Sequence, residues 1–112
     1  MYCFKKLKLN SDFRRIYGRG TNHVDSAFVV YALKNRSGDI RLGLSVGKKL
    51  GGAVMRNRAK RILTAAFYEC APHIRPGYDF VLAARTRIFS VKSTEVAERL
   101  MKYLQSAGLT KE

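Results

Sequence analysis

Apolar positions fall into two rhythms along this chain. Phe13, Ile16 and Tyr17 recur at helical spacing. Asn10-Ser11 ahead of them can cap a helix, Asp12 in the first turn suits its dipole, and Gly18 and Gly20 end it. The pattern predicts a short helix over 11–17. Residues 26–34 then read as a strand, with Val29, Tyr31 and Leu33 on one face and Phe28, Val30 and Ala32 on the other. Asn35-Arg36-Ser37-Gly38-Asp39 is a turn. Residues 40–46 form the next strand, with Ile40, Leu42, Leu44 and Val46 inward and Arg41, Gly43 and Ser45 opposite. An antiparallel hairpin is the simplest pairing of these two strands.

After a loop over 47–52, helical spacing returns from Ala53 to Cys70 and stops before Pro72. Pro76-Gly77 is a further turn, 78–85 an apolar strand ending near Arg85 and Arg87. A last helix is capped at Ser93, with Glu95 in its first turn, a stripe of Val96, Leu100, Tyr103 and Leu104, and Gly108 beyond its end. The order is α-β-β-α-β-α in one α+β domain spanning 1–112: a small central sheet packed with helices. No repeat, linker or low-complexity segment interrupts it.

The middle helix is amphipathic in an unusual sense. At about 100° per residue, Met55, Ala59, Ile62, Leu63 and Ala66 share a sector, with Phe67 at its edge, that should bury against the sheet. Asn57, Lys60, Arg61, Thr64 and Tyr68 occupy the opposite sector, flanked by Arg56 and Arg58. Exposed helix faces usually mix signs, because acid–base pairs four residues apart support them. Here no acid occurs between Asp39 and Glu69. Cations near a helix N-terminus also oppose the macrodipole, by about 0.3–1 kcal/mol each. A sequence shaped for stability would place Glu there.

Composition sharpens this. The chain of 112 residues carries 22 Lys+Arg against 8 Asp+Glu, a formal charge of +14, while 46% hydrophobic residues suffice for a folded core. Self-repulsion at that charge opposes compaction, and a polyanion relieves it, which makes nucleic acid the leading partner class. The longest apolar runs are far too short to span a bilayer, and Lys5, Lys6 and Lys8 precede no signal-like apolar stretch, so the chain reads as cytoplasmic with no membrane partner. Cys3 and Cys70 lack metal-ligand spacing and are expected to be reduced and uninvolved.

Arg56 and Arg58 suit forked contacts to phosphate, Asn57 a base edge or sugar hydroxyl, and Lys48 and Lys49 carry the cationic surface into the loop. The glycines of 47–52 superficially suggest a nucleotide-binding loop, but Ala53-Val54 stands where Lys-Ser/Thr should follow, so nucleoside triphosphate binding is rejected. Phe13, Tyr17, Phe28 and Tyr31 are either core or an aromatic groove on which unpaired bases stack. Tyr31, with a hydroxyl that prefers a wet edge, is the better groove candidate and Phe28 the better core candidate. His23 and His73, the scattered acids and Ser45 form no nucleophile–base set, so no catalytic residue and no metal site are expected.

The run Leu42-Gly43-Leu44-Ser45-Val46-Gly47-Lys48-Lys49, with Gly51, Ala53-Val54 and Arg56-Asn57-Arg58-Ala59-Lys60-Arg61, closely resembles the bacterial ribonuclease P protein component. Lys8-Leu9-Asn10-Ser11-Asp12-Phe13 with Gly20, Phe28-Val29-Val30-Tyr31 and Asp79-Phe80-Val81-Leu82-Ala83-Ala84-Arg85 extend the likeness over nearly the whole chain. The resemblance implies a protein subunit of an endoribonuclease whose catalytic RNA, with bound magnesium ions, removes the 5′ leader from precursor tRNA. Ribonuclease P RNA and precursor tRNA are the implied partners, and no protein partner is required. Lys48, Lys49, Arg56, Asn57, Arg58, Lys60 and Arg61 would then face the catalytic RNA, and Phe13, Tyr17 and Tyr31 the single-stranded leader. It further implies a four-stranded sheet, its fourth strand split from one of the predicted segments, and a left-handed β-α-β crossover through the basic helix. Gly52 and Thr64 depart from the family's frequent Asn and Arg. A ribosome-bound RNA protein and a DNA-binding protein are the competing classes that charge alone permits.

Overall fold

A computed structural model describes residues 4–111. Five strands and three helices follow the chain as β1 (Lys5–Lys6), α1 (Asn10–Arg19), β2 (Thr21–Val24), β3 (Phe28–Lys34), β4 (Ile40–Ser45), α2 (Ala53–Cys70), β5 (Tyr78–Ala84) and α3 (Ser93–Ser106). They form one mixed sheet in the order β1-β4-β5-β3-β2. The α+β class and helix–sheet layering expected from the sequence are present.

The pairing corrects the predicted hairpin. β3 and β4 are not neighbours: β5 lies between them, antiparallel to β3 and parallel to β4, so α2 is the crossover of a parallel β4-α2-β5 unit. The physical reason is the apolar run of β5. Phe80, Val81 and Leu82 are all fully buried, which requires a strand covered on both faces and flanked on both edges. The two extra strands are new segments rather than splits of predicted ones. β2 pairs antiparallel with β3, and β1 adds a two-residue parallel rung to β4. All of their residues are exposed, so hydrophobic pattern could not reveal them.

The period-two reading of the faces holds. Phe28, Val30, Ala32, Ile40 and Leu42 join Phe80 and Leu82 in the main core beneath α2 and α3. Tyr31 and Leu33 face α1, where Ile16, Val81 and Leu7 make a smaller cluster. Phe28 is therefore core. On α2, burial begins only at Ala59: Met55 is 38% exposed, while Ile62 is half-buried and Phe67, placed at the sector's edge, is sealed between Phe4 and Phe80. Cys70 is a free thiol whose Sγ meets the Ala97 carbonyl; burial, with Glu69 adding to it, pushes the thiol pKa up to about 12 and leaves it inert. Cys3 lies outside the described residues.

Helix ends differ from expectation in detail. α1 runs through Gly18 to Arg19 and no side chain caps its start. α3 begins at Ser93 with Lys92 as its cap residue, and the Lys92 N–H donates to the Glu95 carboxylate at 3.2 Å. Gly20 ends α1 because nothing larger fits: a Cβ there would lie 2.6 Å from the Ile16 carbonyl oxygen and 2.8 Å from that of Ala32. Backbone atoms cannot retreat as a side chain can. Gly20→Ala should cost about 2 kcal/mol in chemical denaturation. Gly18→Ala, with nothing within 4 Å of its Cβ, should gain roughly 0.5–1 kcal/mol. Equal effects would contradict this account of the helix end.

Candidate nucleic-acid interface

α2 presents its cations outward and unpaired. Lys48 and Lys49 stand exposed on a 3-10 turn, Lys48–Leu50, whose Leu50 is buried and anchors it. Asn57, Arg58, Lys60 and Arg61 are exposed along the helix, and Arg56 is half-buried. None of these cations pairs with a carboxylate among the described residues; the ion pairs there use Lys5, Arg15, Arg41 and Arg99. Arg56 Nε is sealed from solvent and has no hydrogen-bond partner among the described residues. The helix opens at Gly52 with no side-chain cap and no acid in its first turn, so its N-terminal N–H groups and dipole also face outward uncompensated.

The three aromatics expected to bind unpaired bases come together. The Tyr17 ring meets the Tyr31 ring edge-on at 4.8 Å and the Phe13 ring at 6.3 Å. Tyr17 is 42% exposed, whereas Phe13 and Tyr31 are half-buried at the rim of the smaller core. Gly43 seats the Phe13 ring, since a Cβ at that position would fall 2.6 Å from its Cζ. A strand glycine admitting a close neighbour is the signal for this contact, legible only once α1 is known to cross β4.

The structure then joins two surfaces that periodicity treated separately. A cavity of about 580 Å³ is lined by Phe13 and Leu7, by Leu42 and Leu44 of β4, by Lys60, Arg61, Thr64 and Tyr68 of α2, and by Phe4 and Lys6. Its walls are mostly apolar and its α2 rim is cationic. Sequence reasoning missed Phe4, Lys6 and Leu44, because β1, α1, β4 and α2 build the cavity together. Tyr68 is half exposed and carried a signal, as an aromatic on the polar sector of α2.

Asp79 holds the frame of this face. Fully buried on β5, its carboxylate accepts from Arg41 Nε at 2.7 Å and Nη2 at 2.8 Å, from Arg15 Nη2 at 2.6 Å and from Asn35 Nδ2 at 2.7 Å. Burial alone would raise its pKa; the hydrogen bonds from Arg41, Arg15 and Asn35 and the charge of Arg41 outweigh burial and hold it below the ordinary value. Hydrogen bonding to Asp79 raises Arg41 in turn. The network ties α1, β4 and β5 together and so fixes Phe13 and Tyr17 over the sheet.

The ribonuclease P family model matches residues 1–108. This chain belongs to the ribonuclease P protein family. It is 38% identical to the ribonuclease P protein component of Oceanobacillus iheyensis over 95% of its own length and 88% of that protein's, and 38% identical to that of Geobacillus kaustophilus over 92% and 86%. The solved RNase P protein of Staphylococcus aureus superposes with a TM-score of 0.80 at 35% identity, covering 96% of this chain and 98% of that one. That of Thermotoga maritima does so at 0.78 and 31%, covering 91% and 96%. Membership makes the chain a subunit of a tRNA-processing nuclease with an RNA partner. It also separates the chain from the ribosomal and DNA-binding classes that its charge alone permitted. Among the described residues no helix is long and apolar enough to cross a membrane.

Proposed function

We propose that this chain is the cytoplasmic protein subunit of ribonuclease P that grips two RNAs at once. α2 and the turn before it, through Lys48, Lys49, Arg56, Asn57, Arg58, Lys60 and Arg61, contact the catalytic RNA, and Phe13, Tyr17 and Tyr31 stack on the single-stranded 5′ leader of precursor tRNA. One observation supports the reading: Phe13, from the aromatic patch, lines the same cavity as Lys60 and Arg61 of α2. A nucleotide entering it would set its base against apolar walls and its phosphate on the α2 rim. Among the described residues the exposed cations of α2 have no carboxylate to displace, so their charge is available to a phosphodiester chain.

Hydrolysis of the phosphodiester is assigned to the RNA subunit and its magnesium ions. Among the described residues no group of three His, Cys, Asp or Glu could hold a metal ion. The protein's part is to bind and orient.

Tyr17→Ala tests the stacking role at the most exposed ring of the three. It should weaken leader binding by about 1–3 kcal/mol, measured as the affinity of the assembled particle for precursor tRNA, with mature tRNA unchanged. Tyr31→Ala should act in the same direction. If it unfolds the domain instead, Tyr31 is a core residue. Equal loss for both tRNA forms would rule out the leader contact.

A further inference from the structure

We infer that the flank of α1 facing away from the aromatic patch is a second RNA contact, one that takes a phosphate backbone and reads no base. The inference extends the RNA-binding reading above and rests on it. Sheet register defines the place. Tyr31, Val81 and Gly43 form one cross-strand row, and Leu33, Asp79 and Arg41 form the next on the same face. α1 straddles them. Ile16 is buried beneath it, Phe13 and Tyr17 lie over the first row, and Arg15 reaches Asp79 in the second. A polar cavity of about 460 Å³ opens there, lined by Arg15, Arg19, Lys34, Arg36 and Arg41 with Asp12.

Two kinds of cation meet in it. Arg15 and Arg41 are fixed by the buried Asp79 carboxylate, yet 31% and 27% of their side chains remain exposed. Their guanidinium planes are therefore held in place with further N–H groups still open to an acceptor. Arg19, Lys34 and Arg36 are exposed, and their side chains make no hydrogen bond or ion pair among the described residues. Five cations line the cavity, with Asp12 at its wall and Asp79 beneath, so positive charge is in excess there. Like charges gathered so closely repel, and a bound anion relieves them.

The lining chemistry selects the occupant. No aromatic side chain lines the cavity, so a base has nothing to stack on and only the backbone gains. Because α1 separates it from the aromatic patch, this contact belongs to a different stretch of RNA from the one lying on Tyr17 and Tyr31. A folded RNA, with backbone phosphates on its outside, fits this requirement.

The test is the full chain with Arg19→Gln and Arg36→Gln together, against Arg87→Gln and Lys102→Gln, which remove the same charge from surfaces outside the cavity. Three probes are titrated over a range of salt: a ribonuclease P RNA transcript, a precursor tRNA transcript, and a short single-stranded RNA that engages the aromatic patch. The inference expects roughly tenfold weaker binding of at least one folded RNA. The slope of log K against log salt should be shallower by about 1.5, as for two lost phosphate contacts. Oligonucleotide affinity should match that of the control pair. Losses equal to the control pair for both folded RNAs would overturn the site while oligonucleotide binding leaves the aromatic reading standing. Oligonucleotide binding weakened in step with the folded RNAs would also overturn it, by showing one continuous surface. Failure of the unsubstituted chain to bind any probe would instead defeat the RNA-binding reading itself. Should the double variant not fold, Arg36→Gln alone, at an exposed turn, carries the same comparison at about half the change in slope.

Discussion

Asp79→Ala should destabilise the domain by about 3 kcal/mol, a large share of the roughly 5–15 kcal/mol that holds a domain of this size. Removing one partner of a buried ion pair costs about 3–5 kcal/mol, because the other charge is left behind in a poor solvent. Here two guanidiniums are stranded, but both already reach water, with 31% and 27% of their side chains exposed, which sets the cost at the low end. The sign of the pH dependence follows from the direction of the shift. The folded-state carboxyl lies below its ordinary value of 3.8, so its contribution is fully present above that pH. It is lost as pH falls through the lower, folded-state value. The gap between the unsubstituted chain and Asp79→Ala in urea denaturation should be full at neutral pH and close only in strong acid. A gap that persists unchanged in strong acid would show that the carboxylate charge is not its source. Since Arg15 ties α1 to Asp79, leader binding should fall with stability.

The second large effect separates binding from folding. Replacing Arg56, Arg58, Lys60 and Arg61 together with Gln should weaken binding to the catalytic RNA on the order of a thousandfold at about 0.1 M salt. The salt slope should become shallower by about 3, as expected for four phosphate contacts. The same variant should melt no lower than the unsubstituted chain. No carboxylate pairs with these side chains among the described residues, and those nearest the start of α2 oppose its dipole. A helix face kept for stability would behave in the opposite way, losing its melting temperature and keeping its affinity.

Much of this was legible in the amino-acid sequence, for reasons that particular residues make clear. Periodicity located α2 and α3 and both faces of β3 and β4, because burial on one side leaves a trace at every second or every third-to-fourth position. The unbroken basic run of α2 announced its partner, since nothing in folding asks for it. β1 and β2 left no trace, because every residue in them is exposed. The order of the sheet was misread by pairing neighbours in the chain, although the uninterrupted apolar run of β5 already marked a strand flanked on both edges. Asp79 read as one scattered acid, because Arg15, Asn35 and Arg41 reach it from separate segments and no spacing within any one of them records the meeting. The cavity shared by Phe13 and Lys60 was hidden for the same reason.

The most direct measurement compares precursor with mature tRNA. The protein is assembled with ribonuclease P RNA, and the affinity of the particle for the two substrates is determined at equal magnesium. The leader contact predicts that precursor tRNA binds more tightly, and that Tyr17→Ala and Tyr31→Ala erase the preference. Equal affinity for the two forms with the unsubstituted protein would contradict it.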